Sequence, residues 1–213
     1  MLMKWSIFKL LLVICFFPCL LYAQEEASST YVRQYDNFWQ RLIPRYVKLQ
    51  YAGSMGMFSL GTGWDYYRHH WETDILVGFV PAGNSDGSAH ATLTFKQNYY
   101  PWNIDLGTKF SIEPLAAGLY VNFIFGEDFW THQPDRYPSG YYWFSTRIRT
   151  HVFLGERVTL KLDPEKIKIP IRAITLFYEL STCDLYIINK IGNSSLKAKD
   201  YLSLSFGIKW QIL

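Results

Sequence analysis

Five histidines carry the imidazole groups on which proton transfer near neutral pH would depend: His69, His70, His90, His132 and His151. Acyl transfer requires a nucleophile or a water activated by such a base, and a carboxylate that orients the base. His132 is the best placed, since Asp128 and Asp135 lie in the same segment. None of the five stands in a His-x-Ser or similar pairing near a carboxylate, so surface or interface positions are favoured over catalysis.

Strands, rather than helices, must position these side chains. Residues 201–213 alternate between apolar and polar with a period of two, which is typical of a strand whose two faces meet different surroundings. The apolar face of this last strand comprises Leu202, Leu204, Phe206, Ile208, Trp210 and Ile212. Outer-membrane barrels have the same alternation, with apolar side chains towards lipid and polar ones towards the lumen.

The same period recurs after Pro44 and predicts an eight-stranded antiparallel up-and-down transmembrane barrel. The longest apolar run after the N-terminal segment, 115–125, is too short for a membrane-spanning helix, which needs about 20 residues. A barrel is then the remaining way to cross a membrane. The predicted strands are 45–52, 57–67, 71–80, 89–99, 109–124, 140–154, 172–183 and 200–212.

The N-terminal segment is typical of a secretory signal peptide, residues 1–23. Lys4 and Lys9 precede an apolar stretch, and Ala23 provides a small residue at the predicted cleavage site. Apolar residues at helical spacing between Tyr31 and Ile43 predict a short amphipathic helix within residues 24–44. Residues 45–213 form the predicted barrel. This helix either lies in a membrane interface or packs at the barrel mouth.

Composition excludes several classes of partner. Cleavage after Ala23 removes two of the 21 basic residues and leaves a net charge of about +1, which argues against nucleic acid. Cys183 is the one cysteine beyond the signal peptide, so no internal disulfide and no metal-ligand spacing are predicted. We expect no cofactor.

Charged residues on the inward faces of the strands predict a packed, salt-bridged lumen. Eight strands enclose a space that side chains can fill, and an arginine facing lipid at mid-depth costs about 2–4 kcal/mol. Arg147 and Arg149 are therefore expected to point inward or to lie near an interface. A conducting pore is the least favoured alternative, because five inward basic residues are balanced by five acidic ones, which include Glu72 and Glu113. The predicted lumen network is Lys48, Asp65, Asp74, Lys96, Arg147, Arg149, Glu179 and Lys209.

The C-terminal sequence Ser205-x-Gly207-x-x-Trp210-x-Ile212 is similar to the signal that the barrel-assembly machinery recognises, although the chain ends on Leu213 rather than on an aromatic residue. With its Gly-aromatic strands, the chain resembles small Gram-negative outer-membrane barrels, including the uncharacterised barrels common in Bacteroidota. The resemblance implies an outer-membrane location, contact with lipid and lipopolysaccharide, and assembly through Gly207, Trp210 and Ile212. It leaves the oligomeric state open.

The resemblance also supplies the competing functions. Lipid A palmitoyltransferases and deacylases are small barrels, and the helix before this barrel is similar to that of the former. A lipid A-modifying acyl hydrolase or acyltransferase is therefore the alternative to a structural or interaction role. A secreted lipocalin-like barrel is a further alternative, and it would turn the apolar faces inward.

The segment 126–140 is the most distinctive loop, with aromatic residues, both signs of charge and two prolines. Such a loop is expected on the outer side, where it either presents a contact surface or anchors aromatic residues in the membrane interface. Its candidate contact residues are Phe129, Trp130, His132, Asp135 and Arg136.

Overall fold

A computed structural model describes residues 42–84, 88–126, 129–131, 145–163, 170–193 and 197–212 of the chain. The predicted signal peptide and nearly all of the predicted N-terminal helix lie outside these residues. Antiparallel strands account for most of the described part. They are β1 (Tyr46–Ala52), β2 (Phe58–Tyr66), β3 (Trp71–Val80), β4 (His90–Tyr99), β5 (Ile104–Leu106), β6 (Phe110–Phe125), β7 (Ile148–Lys161), β8 (Ala173–Cys183) and β9 (Ser203–Gln211).

Eight of these strands close into an antiparallel barrel, as the alternation predicts. Each long strand pairs with the next long strand in sequence. The short β5 pairs only with the first residues of β6, so the neighbour of β4 in the ring is β6. The first and last strands complete the ring, from Tyr46 opposite Gln211 to Ala52 opposite Ser205. Closure leaves no unpaired strand edge in the wall.

The prediction of the sixth strand, 140–154, is wrong in its C-terminal limit, and its residues 140–144 lie outside the described residues. The strand begins at Ile148 and continues to Lys161. Gly155 and Glu156 interrupt the alternation of apolar and polar residues, which ended the predicted strand too early. A bulge in β6 between Glu113 and Ala116 shifts the register opposite these two residues. The alternation of buried and exposed residues along β7 itself is unbroken, so Arg157 points into the barrel.

The two ends of the barrel differ in their connections. We call the end with residues 53–57 and 81–89 the loop end, and the end with Tyr67–His70 the turn end. The loop end carries a 3-10 turn, Ala82–Asn84, and two helices, α1 (Asp184–Gly192) and α2 (Ala198–Tyr201). The turn end holds the first strand residue, Tyr46, and the last, Gln211.

The β2–β3 turn contains three consecutive residues in the left-handed region. Tyr67, Arg68 and His69 have φ angles of +52°, +56° and +64°, a conformation that costs about 1–2 kcal/mol for each L-residue. Local hydrogen bonds hold the turn: the His70 amide donates to the Tyr67 carbonyl (3.1 Å), and the Tyr100 amide donates to the His70 carbonyl (2.8 Å). These hydrogen bonds therefore hold the turn in a conformation that its residues do not favour on their own.

Candidate functional site: charged interior and apolar exterior

A buried carboxylate on β3 joins three other strands near the turn end. Glu72 is 1% exposed, and its Oε1 accepts hydrogen bonds from Arg157 of β7 (2.6 Å) and from Lys209 of β9 (2.6 Å). Arg157 also pairs with Glu113 of β6 through its Nε, at 3.1 Å. The Arg157 guanidinium lies 3.4 Å from the centre of the Tyr100 ring. These contacts link strands on opposite sides of the ring through one carboxylate.

A second carboxylate, Asp74, lies one inward position further along β3. It accepts hydrogen bonds from Tyr46 Oη (2.5 Å), Lys48 Nζ (2.5 Å) and Asn98 Nδ2 (2.9 Å). Lys48 is opposite Lys209 in the β1–β9 pair, so the two ammonium groups are neighbours. Each has its own carboxylate, and this separation offsets their mutual repulsion.

A third ion pair crosses the middle of the barrel. Lys96 Nζ lies 2.5 Å from both carboxylate oxygens of Glu179, which is 83 positions away in the sequence. Its ammonium group also lies 4.1 Å from the centre of the Phe153 ring, a favourable cation–π distance. Gln50 donates to Glu179 (3.4 Å) and to Ser205 Oγ (2.9 Å). Salt bridges therefore extend from the turn end to the middle of the lumen.

The loop-end half of the lumen has a different content. Met55, Leu76, Tyr120 and Phe153 form a buried apolar cluster. Met55 belongs to the β1–β2 turn, which folds into the barrel mouth instead of projecting outward. The Ser54 carbonyl accepts a hydrogen bond from Asn122 Nδ2 (2.7 Å), and the Met55 carbonyl accepts one from Thr92 Oγ1.

Glycine makes room for this inward turn. A Cβ on Gly78 would lie 2.0 Å from the Met55 carbonyl oxygen, a distance that no side chain tolerates. Gly53 and Gly56 have φ angles of +74° and +132°, which favour glycine. The turn and the apolar cluster lie in the loop-end half of the lumen, beyond the salt bridges.

The residues of the predicted lumen network occupy two different places. Lys48, Asp65, Asp74, Lys96, Glu179 and Lys209 are buried inside the barrel. Arg147 and Arg149 lie at the rim of the loop end. Arg147 Nη2 donates to the carbonyls of Gly126 (3.1 Å) and Phe129 (2.6 Å), and Arg149 Nη1 lies 3.4 Å from Asp184 Oδ1.

Sequence reasoning missed Arg157 and the hub position of Glu72. Continuing the inward parity of Arg149 and His151 along β7 leads to residue 157, so the signal was present beyond the predicted end of the strand. Tyr46 and Tyr100, both buried, were also missed. Aromatic residues at the ends of barrel strands are more often assigned to the interfacial girdles.

At the turn end, Asp65 links the barrel to the β2–β3 turn. Its carboxylate contacts His69 Nδ1 and lies 3.2 Å from Arg45 Nη1. The hydrogen bond with Asp65 raises the pKa of the His69 imidazole above its usual range. His70 Nδ1 bonds to the Tyr100 carbonyl at 2.6 Å. Both histidines of this turn thus have structural partners.

The candidate loop contacts are described only in part. The Phe129 ring packs edge-on against His90, with 4.9 Å between ring centres. The Trp130 carbonyl accepts hydrogen bonds from the Thr146 amide (3.0 Å) and from Ser145 Oγ (3.0 Å). His132, Asp135 and Arg136 lie outside the described residues.

The exterior of the wall is apolar, the reverse of the interior. On β2 and β3, Leu60 and Val77 are 57% and 60% exposed, whereas Ser59 and Asp74 on the same two strands are buried. The polar groups of the exterior bond to one another. Thr73 Oγ1 donates to Gln97 Oε1 (2.8 Å), and Gln97 Nε2 donates to Tyr66 Oη (2.7 Å). Other exposed residues of this surface are Leu49, Phe58, Phe79, Phe95, Val152, Leu154, Leu176, Leu180, Leu204 and Phe206.

One charged residue departs from this pattern. Glu156 is exposed on the exterior face of β7 and lies opposite Tyr178 of β8. We find no further role for it.

Within the described ranges, no group of three or more histidine, cysteine or acidic residues is placed to hold a metal ion. In the same part of the chain, neither helix is long and apolar enough to span a membrane. The chain matches no protein-family model and no curated protein.

Proposed function

We propose that this protein is an integral outer-membrane barrel with a packed, non-conducting lumen, and that it has a structural or interaction role at its loop end. The observation that carries the proposal is the reversal of polarity across the wall. Five buried carboxylates and their basic partners lie inside, whereas large aliphatic and aromatic side chains lie outside. Such a surface is costly in water and suited to lipid.

The contacts of the interior support a filled lumen. Buried charges are tolerated where each is paired and hydrogen-bonded, and Glu72, Asp74 and Glu179 all have basic partners within 2.6 Å. A pore would leave a continuous water-filled path between such groups. The inward β1–β2 turn adds a barrier at the loop end. A lipocalin-like barrel would require the opposite polarity, with apolar side chains inside.

The remaining parts of the proposal follow from the predicted signal peptide and the C-terminal motif. Secretion by way of residues 1–23 delivers the chain to the envelope, and Gly207, Trp210 and Ile212 engage the barrel-assembly machinery. Gly207 has a second use, because a Cβ there would lie 2.1 Å from the Phe177 ring. Loops at the loop end, including Phe129 and Trp130, then present the contact surface.

Two measurements on the purified protein test the proposal. A folded barrel in detergent micelles is expected to migrate differently on a denaturing gel before and after boiling. In planar bilayers it is expected to give no steady conductance, whereas a general porin reconstituted in parallel conducts. Equal mobility, together with solubility in the absence of detergent, would overturn the membrane location. A steady conductance would overturn the packed lumen alone.

A further inference from the structure

Helix α1 is firmly attached to the barrel at its N-terminus. It begins directly after β8, and the Asp184 carboxylate lies 3.4 Å from Arg149 Nη1 of β7. The same carboxylate accepts a hydrogen bond from the Leu185 amide (2.8 Å), and an acidic residue in the first turn suits the helix dipole. The first turn of the helix therefore lies close to the rim of the wall.

The two faces of α1 differ in polarity. Ile187, Ile188 and Ile191 share one side of the helix by their spacing, and Asn189 and Lys190 lie on the other. No residue of the helix is buried, and Ile191 is 82% exposed. Lys190 Nζ lies 5.7 Å from the centre of the Tyr201 ring of α2. Lys190 therefore lies towards α2, and the three isoleucines are exposed, Ile187 at 37% and Ile188 at 44%.

Two basic residues follow this helix in the chain. Lys197 and Lys199 are exposed. The two carboxylates of the described segment already have partners: Asp184 pairs with Arg149, and Asp200 accepts a hydrogen bond from the Lys197 amide (2.9 Å). The described part of the α1–α2 segment holds three lysines against two aspartates, and this small positive excess suits the phosphate groups of lipids.

The isoleucine face also continues the apolar exterior. Leu180 of β8 and Leu204 of β9 are exterior residues next to the loop end, and α1 follows where this part of the wall ends. We propose that α1 lies in the interface of the outer leaflet, with its isoleucines among the acyl chains and the neighbouring lysines at the lipid phosphates. This inference rests on the membrane location proposed above and adds a specific lipid contact outside the barrel wall.

Spin labels at three positions test it in reconstituted vesicles of phosphatidylcholine and phosphatidylglycerol. The background is Cys183→Ala, and the labelled variants are Ile191→Cys, Asn189→Cys and Val77→Cys. Val77 reports on the wall, and Asn189 is the matched control on the polar face of the same helix. We expect molecular oxygen to relax the labels at 191 and 77, and a water-soluble nickel chelate to relax the label at 189.

Each alternative gives a distinct result. If the label at 77 is in lipid but the label at 191 is relaxed by the nickel chelate, α1 faces water and the inference fails while the proposed function survives. Dipolar broadening between labels at 191 would identify a second copy as the occupant and overturn the lipid contact. Nickel accessibility at both 191 and 77 would overturn the proposed function as well.

The headgroup contact has its own test. The double variant Lys197→Gln, Lys199→Gln is expected to lower the oxygen accessibility at 191 in vesicles rich in phosphatidylglycerol, with a smaller change in pure phosphatidylcholine. Equal changes in the two lipids would overturn the contact with lipid phosphates. The boiled and unboiled gel mobilities of all variants verify that each has folded.

Discussion

The two halves of the lumen are filled by different means. Near the turn end, Glu72 holds Arg157 and Lys209 together through charge, and both lose this shared anion if Glu72 is removed. Near the loop end, Met55 and its apolar neighbours fill the space by shape, and the chain folds back on itself to do so. The difference indicates that the stability of the turn-end half depends on charge balance, and that the stability of the loop-end half depends on the volume of its side chains.

The largest expected effect comes from removing the hub of the charged half. Glu72→Gln leaves two buried cations without their shared anion, and breaking a buried pair costs about 3–5 kcal/mol. Urea unfolding of the folded barrel measures this loss. The control is Asp105→Asn, which breaks the exposed pair with Lys161 and is expected to cost less than about 1 kcal/mol. Equal losses in the two variants would contradict the dependence on charge.

A smaller effect is expected from one methyl group in the loop-end half. In Gly78→Ala the new Cβ meets the Met55 carbonyl and displaces the inward turn, and overpacking of this kind costs about 1–3 kcal/mol. Gly83→Ala is the matched control, since a Cβ there has no neighbour within 4 Å. Urea midpoints and protease cleavage at the turn report the change. A turn that stays protected in Gly78→Ala would show that shape does not hold it.

The smallest effect concerns the turn outside both halves. Because the pKa of His69 is raised by Asp65, its stabilising contribution is fully present below the ordinary pKa of about 6.5 and is lost as the pH rises through the raised value. We expect wild type and His69→Asn to differ in urea midpoint at pH 5.5 and to converge at pH 9. Asparagine tolerates the left-handed conformation of this position. The difference stays below about 1 kcal/mol, since His69 is largely exposed. A difference that grows with pH would exclude the ion pair as its source.

The alternation of side chains was enough to predict the barrel and most of its strands. It worked for β2 and β3, where each residue faces either an apolar or a polar surrounding. It failed at Gly155 and Glu156, because glycine has no side chain to indicate a face and Glu156 is a polar residue on the apolar side. Because the predicted strand ended at residue 154, the inward position of Arg157 was not predicted.

Partners inside the lumen could not be predicted in the same way. One sequence gives the face of Lys96 but not its position around the ring. Its pairing with Glu179, 83 positions away, depends on the register of β6 and β7, which lie between β4 and β8. The inward course of residues 53–56 was equally hidden. Two glycines and a methionine are compatible with an ordinary exposed hairpin.

The pairing of β1 with β9 sets the order in which the chain can fold. Tyr46 pairs with Gln211, so the first strand keeps an open edge until almost all of the barrel has formed. The edge of β8 that pairs with β9 stays open for the same time. Contacts between such distant residues make folding slow, and open edges invite pairing with other chains. A mutation that delays β9 would therefore increase aggregation during assembly without lowering the stability of the finished barrel.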